Sequence, residues 1–122
     1  MVVERFVEEV LNRHDLVALD ELVADETLKQ RVRMFLGAFP DLEVTPNLVV
    51  ADDELVAVHL VGHGTHEGTF QGVPPTGRRW AATCSAFYRV ADGRIVDSWL
   101  NWDLLGILEQ VGGVRRADTA SV

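Results

Sequence analysis

Three side chains in this chain have the type and setting for proton transfer: Asp103, His66 and Asp41. A carboxylate held in an apolar cavity has a raised pKa and can trade protons near neutrality. Strand alternation places Asp97, Trp99, Asn101 and Asp103 on one face of a strand. If Asp92-Gly93 is a two-residue hairpin turn, Ala91 pairs with Arg94. The face of Asp103 then also carries Ala82, Cys84, Ala86 and Tyr88. Three small side chains opposite Trp99, Asn101 and Asp103 leave room for a ligand. A register change of one residue would exchange that face for Thr83, Ser85 and Phe87. Asp103 also stands just before an apolar run from Leu104 and is a favoured helix N-cap. His66 shares a face with Val56, Val58 and Leu60 on an unbroken strand. Facing inward, it can hydrogen-bond a substrate carbonyl or enolate, shuttle protons, or serve as a satisfied core histidine. Asp41 follows Pro40 at the start of a strand, where an aspartate can also satisfy turn amides.

Other chemistries are poorly served. His59 and His63 are four strand residues apart, about 13 Å, too far to share an ion; no cysteine or carboxylate cluster helps, and no metal is expected. The chain has no Gly-x-Gly-x-x-Gly, no phosphate-binding loop and no Gly-x-Ser-x-Gly elbow, so no cofactor is expected. Cys84 and Ser85 lack a base at a defined spacing, and the lone cysteine reads as a small buried residue. Trp80, Trp99, Trp102, Tyr88, Phe35 and Phe70 are candidates for core or pocket wall, with Phe70 on a long connection as the preferred lid.

The elements that must position these groups follow from periodicity. Residues 2–13 carry Val3, Phe6, Val7, Val10 and Leu11 at helical spacing. Asp15 is placed to cap a second helix with Leu16, Leu19, Leu22 and Val23. Thr27 and Gln30 suggest a capping box for a third, with Leu28, Val32, Phe35 and Leu36 on its apolar face and Gly37 as a stop. Strands are expected over 42–50, 55–65, 80–90 and 94–102, with a polar turn at Asp52-Asp53-Glu54 and a closing helix over 104–110. Between residues 65 and 80, Pro74-Pro75-Thr76-Gly77 reads as a tight turn in a shaped connection. Helices first and antiparallel strands after predict an α+β fold with the helices on one face of the sheet.

Composition sets limits on partners. With 48% hydrophobic and 25% charged residues among 122, the chain has the profile of a soluble globular protein. A net charge of −8 disfavours nucleic acid and anionic membrane surfaces. No signal-like stretch opens the chain, and a cytoplasmic protein is expected. Residues 1–112 are read as one domain and 113–122 as a flexible tail.

One set of motifs adds to this reading: Gly64-Thr65-His66-x-Gly68-x-Phe70-x-Gly72-x-Pro74-Pro75-Thr76-Gly77-Arg78. With Phe39-Pro40-Asp41-Leu42 before it, Tyr88-Arg89-Val90-x-Asp92-Gly93-x-Ile95 after it, and Trp99-x-x-x-Asp103-x-x-Gly106-x-Leu108-x-Gln110 near the end, the set resembles the SnoaL-like polyketide cyclase family. That family lies in the nuclear transport factor 2-like superfamily, also called the cystatin-like cone. The resemblance covers roughly residues 35–112. It implies a curved antiparallel sheet wrapped around N-terminal helices with a pocket between them, an acidic residue near the Asp103 strand end as general acid/base, and self-association as a dimer through the outer face of the sheet. One departure is evident. Relatives carry a longer segment between the second and third helices, whereas Leu22-Val23-Ala24-Asp25-Glu26 runs almost directly into Thr27. A pocket here should be more open, or completed by a partner subunit.

The expected function is a cofactor-free cyclase acting on a polyketide-derived small molecule by general acid/base catalysis, through aldol-type or oxygen-heterocycle closure. Asp103, His66 and Asp41 are the catalytic candidates, and Asn101, Trp99, Tyr88, Phe70, Trp80 and Phe35 the substrate-binding ones. Two alternatives stand beside it. An epoxide hydrolase or isomerase on the same scaffold would need Asp41 and Asp103 to face one cavity, and a non-catalytic binding or dimerisation module would have a small or filled one.

Overall fold

The structure, a computed structural model, describes residues 1–115; the tail expected over 113–122 lies, from residue 116 on, outside the described residues. The chain begins with helix α1 (Val2–Arg5), which continues without a break into a π-helical stretch, Phe6–Asn12. Val3, Phe6, Val7, Val10 and Leu11 are all buried, so the apolar face read from the sequence is the face that packs. The wider π turn was not legible in a simple 3–4 spacing. Helix α2 (Leu16–Leu22) starts on Asp15, whose carboxylate accepts from the amides of Val17 and Ala18 at 3.0 and 3.1 Å.

Helix α3 (Glu26–Ala38) starts two residues earlier than a Thr27 capping box requires. Asp25 is the cap: one oxygen accepts from the Thr27 amide at 3.1 Å and the other from the Ser98 hydroxyl at 3.3 Å. The bond to Ser98, far along the chain, is the tertiary contact that the local pattern lacked.

Four antiparallel strands follow in the order β1-β2-β3-β4: β1 (Glu43–Ala51), β2 (Leu55–Thr65), β3 (Arg79–Ala91) and β4 (Arg94–Trp102). Helix α4 (Leu104–Gln110) closes the described chain. The result is the expected α+β arrangement, with the helices and the inner sheet face enclosing the core. The β3–β4 hairpin turns on Asp92 and Gly93, with φ of 53° and 74°, the geometry that favours an Asp-Gly pair, and Ala91 pairs with Arg94 as expected.

One step further on, the register departs from the expectation. Val90 pairs with Ile95 but Arg89 pairs with Asp97, so Val96 is an extra, bulged residue. Every later residue of β4 changes face. Cys84, Ala86 and Tyr88 stand opposite Trp102, Leu100 and Ser98, while Trp99 and Asn101 share the outer face with Phe87 and Ser85. The physical reason lies in the helices. Ile95 is fully buried and bridges Val23 in parallel, the Ala24 amide donates to the Ile95 carbonyl at 2.8 Å, and Arg94 donates to the carbonyls of Asp20, Glu21 and Val23. Without the bulge, either Ile95 or the set Ser98, Leu100, Trp102 would face water. Burying one large aliphatic side chain stabilises by about 1.5–3 kcal/mol, more than the roughly 1 kcal/mol of a forfeited ladder bond. The short segment after α2 thus lies along β4 itself.

Among the described residues, no helix is long and apolar enough to cross a membrane.

Candidate active site

A cavity of about 430 Å³ opens between α3, the π-helical stretch and the inner sheet face. Leu42, Leu60, Cys84 and Tyr88 line it from the sheet side, and Leu100 and Trp102 from β4. Phe6 and Leu11 contribute from the first helix, and Leu28, Val32 and Phe35 from α3. The aromatic ring of Phe35 stacks on Trp102 with centroids 4.9 Å apart. Of the three small β3 side chains the sequence pointed to, Cys84 lines the cavity and Ala82 and Ala86 do not, and the residues opposite are those brought in by the bulge.

Phe70 closes one end. It sits on the long connection after β2, is 4% exposed, and exchanges two backbone hydrogen bonds with Val73 at 3.0 and 2.8 Å. Gln71 and Gly72 form the turn between them, with φ of 49° and 77°. This turn, additional to the one read at Pro74–Gly77, seats Phe70 against Phe35 and Phe39. At the mouth stand Arg31 and Met34 from α3, Gln71, and Leu104.

The polar groups inside are few. Tyr88 is 2% exposed, and its hydroxyl has no hydrogen-bond partner among the described residues. Burial, with a smaller effect of the neighbouring Cys84, pushes its pKa well above the ordinary phenol value, so it stays protonated and can only donate its hydrogen or accept. Burial likewise pushes the Cys84 thiol up to about 11, against the pull of a backbone hydrogen bond from Asn101. Among the described residues lining this cavity there is no aspartate or glutamate.

The acid–base candidates therefore sit apart from one another. Asp103 caps α4, its Oδ1 accepting from the Gly106 amide at 2.9 Å, and is exposed; its chain neighbours Trp102 and Leu104 line the cavity, but Asp103 itself does not. His66 faces inward with Val56, Val58 and Leu60, as expected, and is fully buried. It does not line the cavity. Its Nδ1 lies 2.9 Å from the Thr76 hydroxyl and accepts from the Thr76 amide at 3.3 Å, so Nε2 carries the hydrogen. That Nε2 is buried without a partner among the described residues. With the backbone bonds His66 N to Arg78 O and Gly77 N to His66 O, the ring fastens the base of the long connection.

Asp41 is exposed and accepts from the Thr65 amide and hydroxyl, both at 2.7 Å. Partial burial raises its pKa, but the two Thr65 bonds and the Arg79 charge outweigh this and hold it below the ordinary carboxylate value. It borders a second, shallower cleft of about 320 Å³ with His63, Arg79, Trp80 and Gln110. Asp41 and Asp103 thus do not face one cavity.

Of the binding candidates, Phe35, Phe70 and Tyr88 line the cavity. Trp80 is buried beside Phe39 and borders the second cleft instead. Trp99 is turned to the outer face by the Val96 bulge, 43% exposed with the Arg89 guanidinium 5.7 Å from its ring centroid. The same bulge sends the Asn101 side chain outward, so Asn101 borders the cavity along the strand. The sequence reading overlooked Arg31 and Met34 at the mouth. The signal was present for Arg31, which follows Leu28 by three and precedes Phe35 by four, on the same helix face.

A family model described as SnoaL-like polyketide cyclase matches residues 1–111. The chain belongs to the SnoaL-like polyketide cyclase family. Among this cyclase-family member's relatives is the nogalonic acid methyl ester cyclase of Streptomyces nogalater, 40% identical over 58 residues. That match covers 47% of the chain and 42% of the relative, so it spans under half of the relative's length. IdmH of Streptomyces antibioticus, a candidate polyketide cyclase, is 31% identical in its crystal structure, with 91% of this chain and 96% of IdmH covered and a TM-score of 0.76. A candidate SnoaL-like polyketide cyclase from Jannaschia shares the fold at 21% identity, with a TM-score of 0.82 over 93% of this chain and 91% of that one.

Proposed function

We propose that this family member is a polyketide cyclase that folds an apolar, carbonyl-rich substrate in the 430 Å³ cavity and closes a ring without a cofactor. The observation that carries the reading is the cavity itself: half-open, largely apolar, with one unpartnered phenol in its wall. In an aldol-type closure, Asp103, which follows the cavity-lining Trp102 and is not itself in the lining, would have to leave its cap on α4 to take a proton from carbon next to a carbonyl. The resulting enolate attacks a second carbonyl to form the new C–C bond. The Tyr88 hydroxyl hydrogen-bonds the oxygen on which negative charge develops, and that oxygen takes back the proton that Asp103 removed. Tyr88 takes this role in place of His66 and Asn101, whose polar groups are buried elsewhere or turned outward. Holding the chain folded supplies much of the acceleration.

A second copy of the chain is proposed to cover the outer sheet face, in support of which Leu48, Val50, Leu55, Val61, Phe87 and Trp99 are all exposed there. The acidic chain with a single cysteine suits a cytoplasmic setting.

The test is incubation with nogalonic acid methyl ester, the compound in the curated relative's name, and with the corresponding free acid. The reading expects conversion of at least one to an isomer of unchanged mass at a new retention time. It expects Asp103→Asn to slow that conversion by about 10²-fold or more. Binding without conversion would make the chain a binding module.

A further inference from the structure

The cavity mouth holds one feature that ring closure does not use. Arg31 is the only charged side chain among the described residues lining the cavity. Its neighbours on α3 are occupied: Lys29 lies 3.4 Å from Glu26 and 3.5 Å from Asp20, and Arg33 lies 3.3 Å from Asp20. The Asp25 carboxylate at the start of α3 is taken by the Thr27 amide and the Ser98 hydroxyl. Arg31 itself has no hydrogen-bond or ion-pair partner among the described residues, while Arg5, Arg13 and Arg89 each have a carboxylate. It rises from the same helix face as Leu28 and Phe35, so its guanidinium stands where the apolar wall meets water.

A chain of net charge −8 repels anions over most of its surface. An unpaired guanidinium at the rim of a cavity whose described lining holds no carboxylate reverses that locally. Guanidinium pairs with carboxylates in a two-point geometry and is only weakly hydrated, so it suits a partly desolvated rim. We propose that the cavity selects a polyketide bearing an ionised carboxylate, its apolar ring system inside and its carboxylate on Arg31 at the mouth. The substrate class is then a free acid, not an ester or amide of one, and the charge also sets which end of the substrate enters first. This rests on the cavity being the substrate site.

Equilibrium dialysis with anthraquinone carboxylic acid and its methyl ester, at neutral pH, tests the assignment. These two probes share the ring system and differ in the charge. The acid is expected to bind about tenfold tighter than the ester, an advantage eroded by added salt. Arg31→Gln keeps a long helix-favouring side chain and removes the charge. In that variant the acid's affinity should fall to that of the ester, with ester binding unchanged. Equal affinities in the unmodified protein, or an equal loss for both probes in Arg31→Gln, would overturn the proposal while leaving the cavity as a binding site. Failure of both probes to bind the unmodified protein would overturn the cavity reading and the proposal with it.

Discussion

The Trp102 indole lies directly on Gly62: a Cβ placed on Gly62 would come within 2.7 Å of the Trp102 ring. Gly62 pairs with Ala82 and Trp102 pairs with Cys84, both on β3, so the indole reaches across β3 to Gly62. The glycine is needed for space, since its backbone is ordinary strand. With a methyl group there, Trp102 must lift toward the cavity and Phe35.

Gly62→Ala should therefore lower stability by about 1–3 kcal/mol, the cost of overpacking a filled site. It should also shrink the space beside Phe35 and weaken ligand binding. Thermal melts with tryptophan emission check both; an unchanged melt and an unchanged spectrum would mean the indole has somewhere else to go.

Asp103 has a structural role and a proposed chemical one, and two substitutions separate them. Asp103→Ala removes the cap of α4 and should cost about 0.5–2 kcal/mol. Asp103→Asn keeps an oxygen for the Gly106 amide and should melt close to the unmodified protein. Ring closure should be lost in both. If turnover tracked stability and the Asn variant kept its activity, Asp103 would be a cap alone.

The fold was legible to a large extent, and the reason is local. The Asp92-Gly93 turn, the apolar faces of the first three helices and the inward face of β2 each follow from a repeat within a few residues. The bulge at Val96 is different. It exists because Ile95 must meet Val23 while Ser98 meets Asp25, and neither contact leaves a trace in the spacing of β4. That one residue moved Trp99 out of the candidate site, left Asn101 only at its border, and brought Leu100 and Trp102 in. His66 was placed on the correct face yet has no access to the cavity, because alternation gives direction and not depth. Arg31 could have been found from its helical phase, but a charged residue on an apolar face reads first as solvated.

Asp41 supplies a pH dependence whose direction follows from its lowered pKa. The folded protein holds this proton less tightly than the unfolded chain does. The stabilisation is therefore complete above the ordinary carboxyl value of 3.8 and is lost as pH falls below it, through the lower folded value. Asp41→Asn should melt closer to the unmodified protein in acid than at neutral pH. A gap that stays constant across this range would show that the Thr65 bonds do not depend on the charge. The exposed position keeps the effect small.

Cys84 tests how dry the cavity floor is. With its pKa near 11, roughly a thousandth of the thiol is ionised at about pH 8, against about a quarter for an ordinary cysteine. Alkylation by iodoacetamide should be slow in the folded protein, slower still with ligand bound, and fast after denaturation. Rapid alkylation of the native protein would mean that water and reagent reach the floor freely.

The proposed ring closure takes place in the cavity between α3 and the inner sheet face. Leu100 lines that space and is only partly buried, so Leu100→Trp can place an indole in it. The most direct measurement is turnover of nogalonic acid methyl ester and its free acid by this variant, taken beside its melting temperature. A melting temperature within a few degrees of the unmodified protein and at least about a tenfold loss of turnover are expected, in line with the binding energy that a filled site forfeits. Full turnover by a folded Leu100→Trp protein would contradict this placement and move the chemistry elsewhere on the molecule.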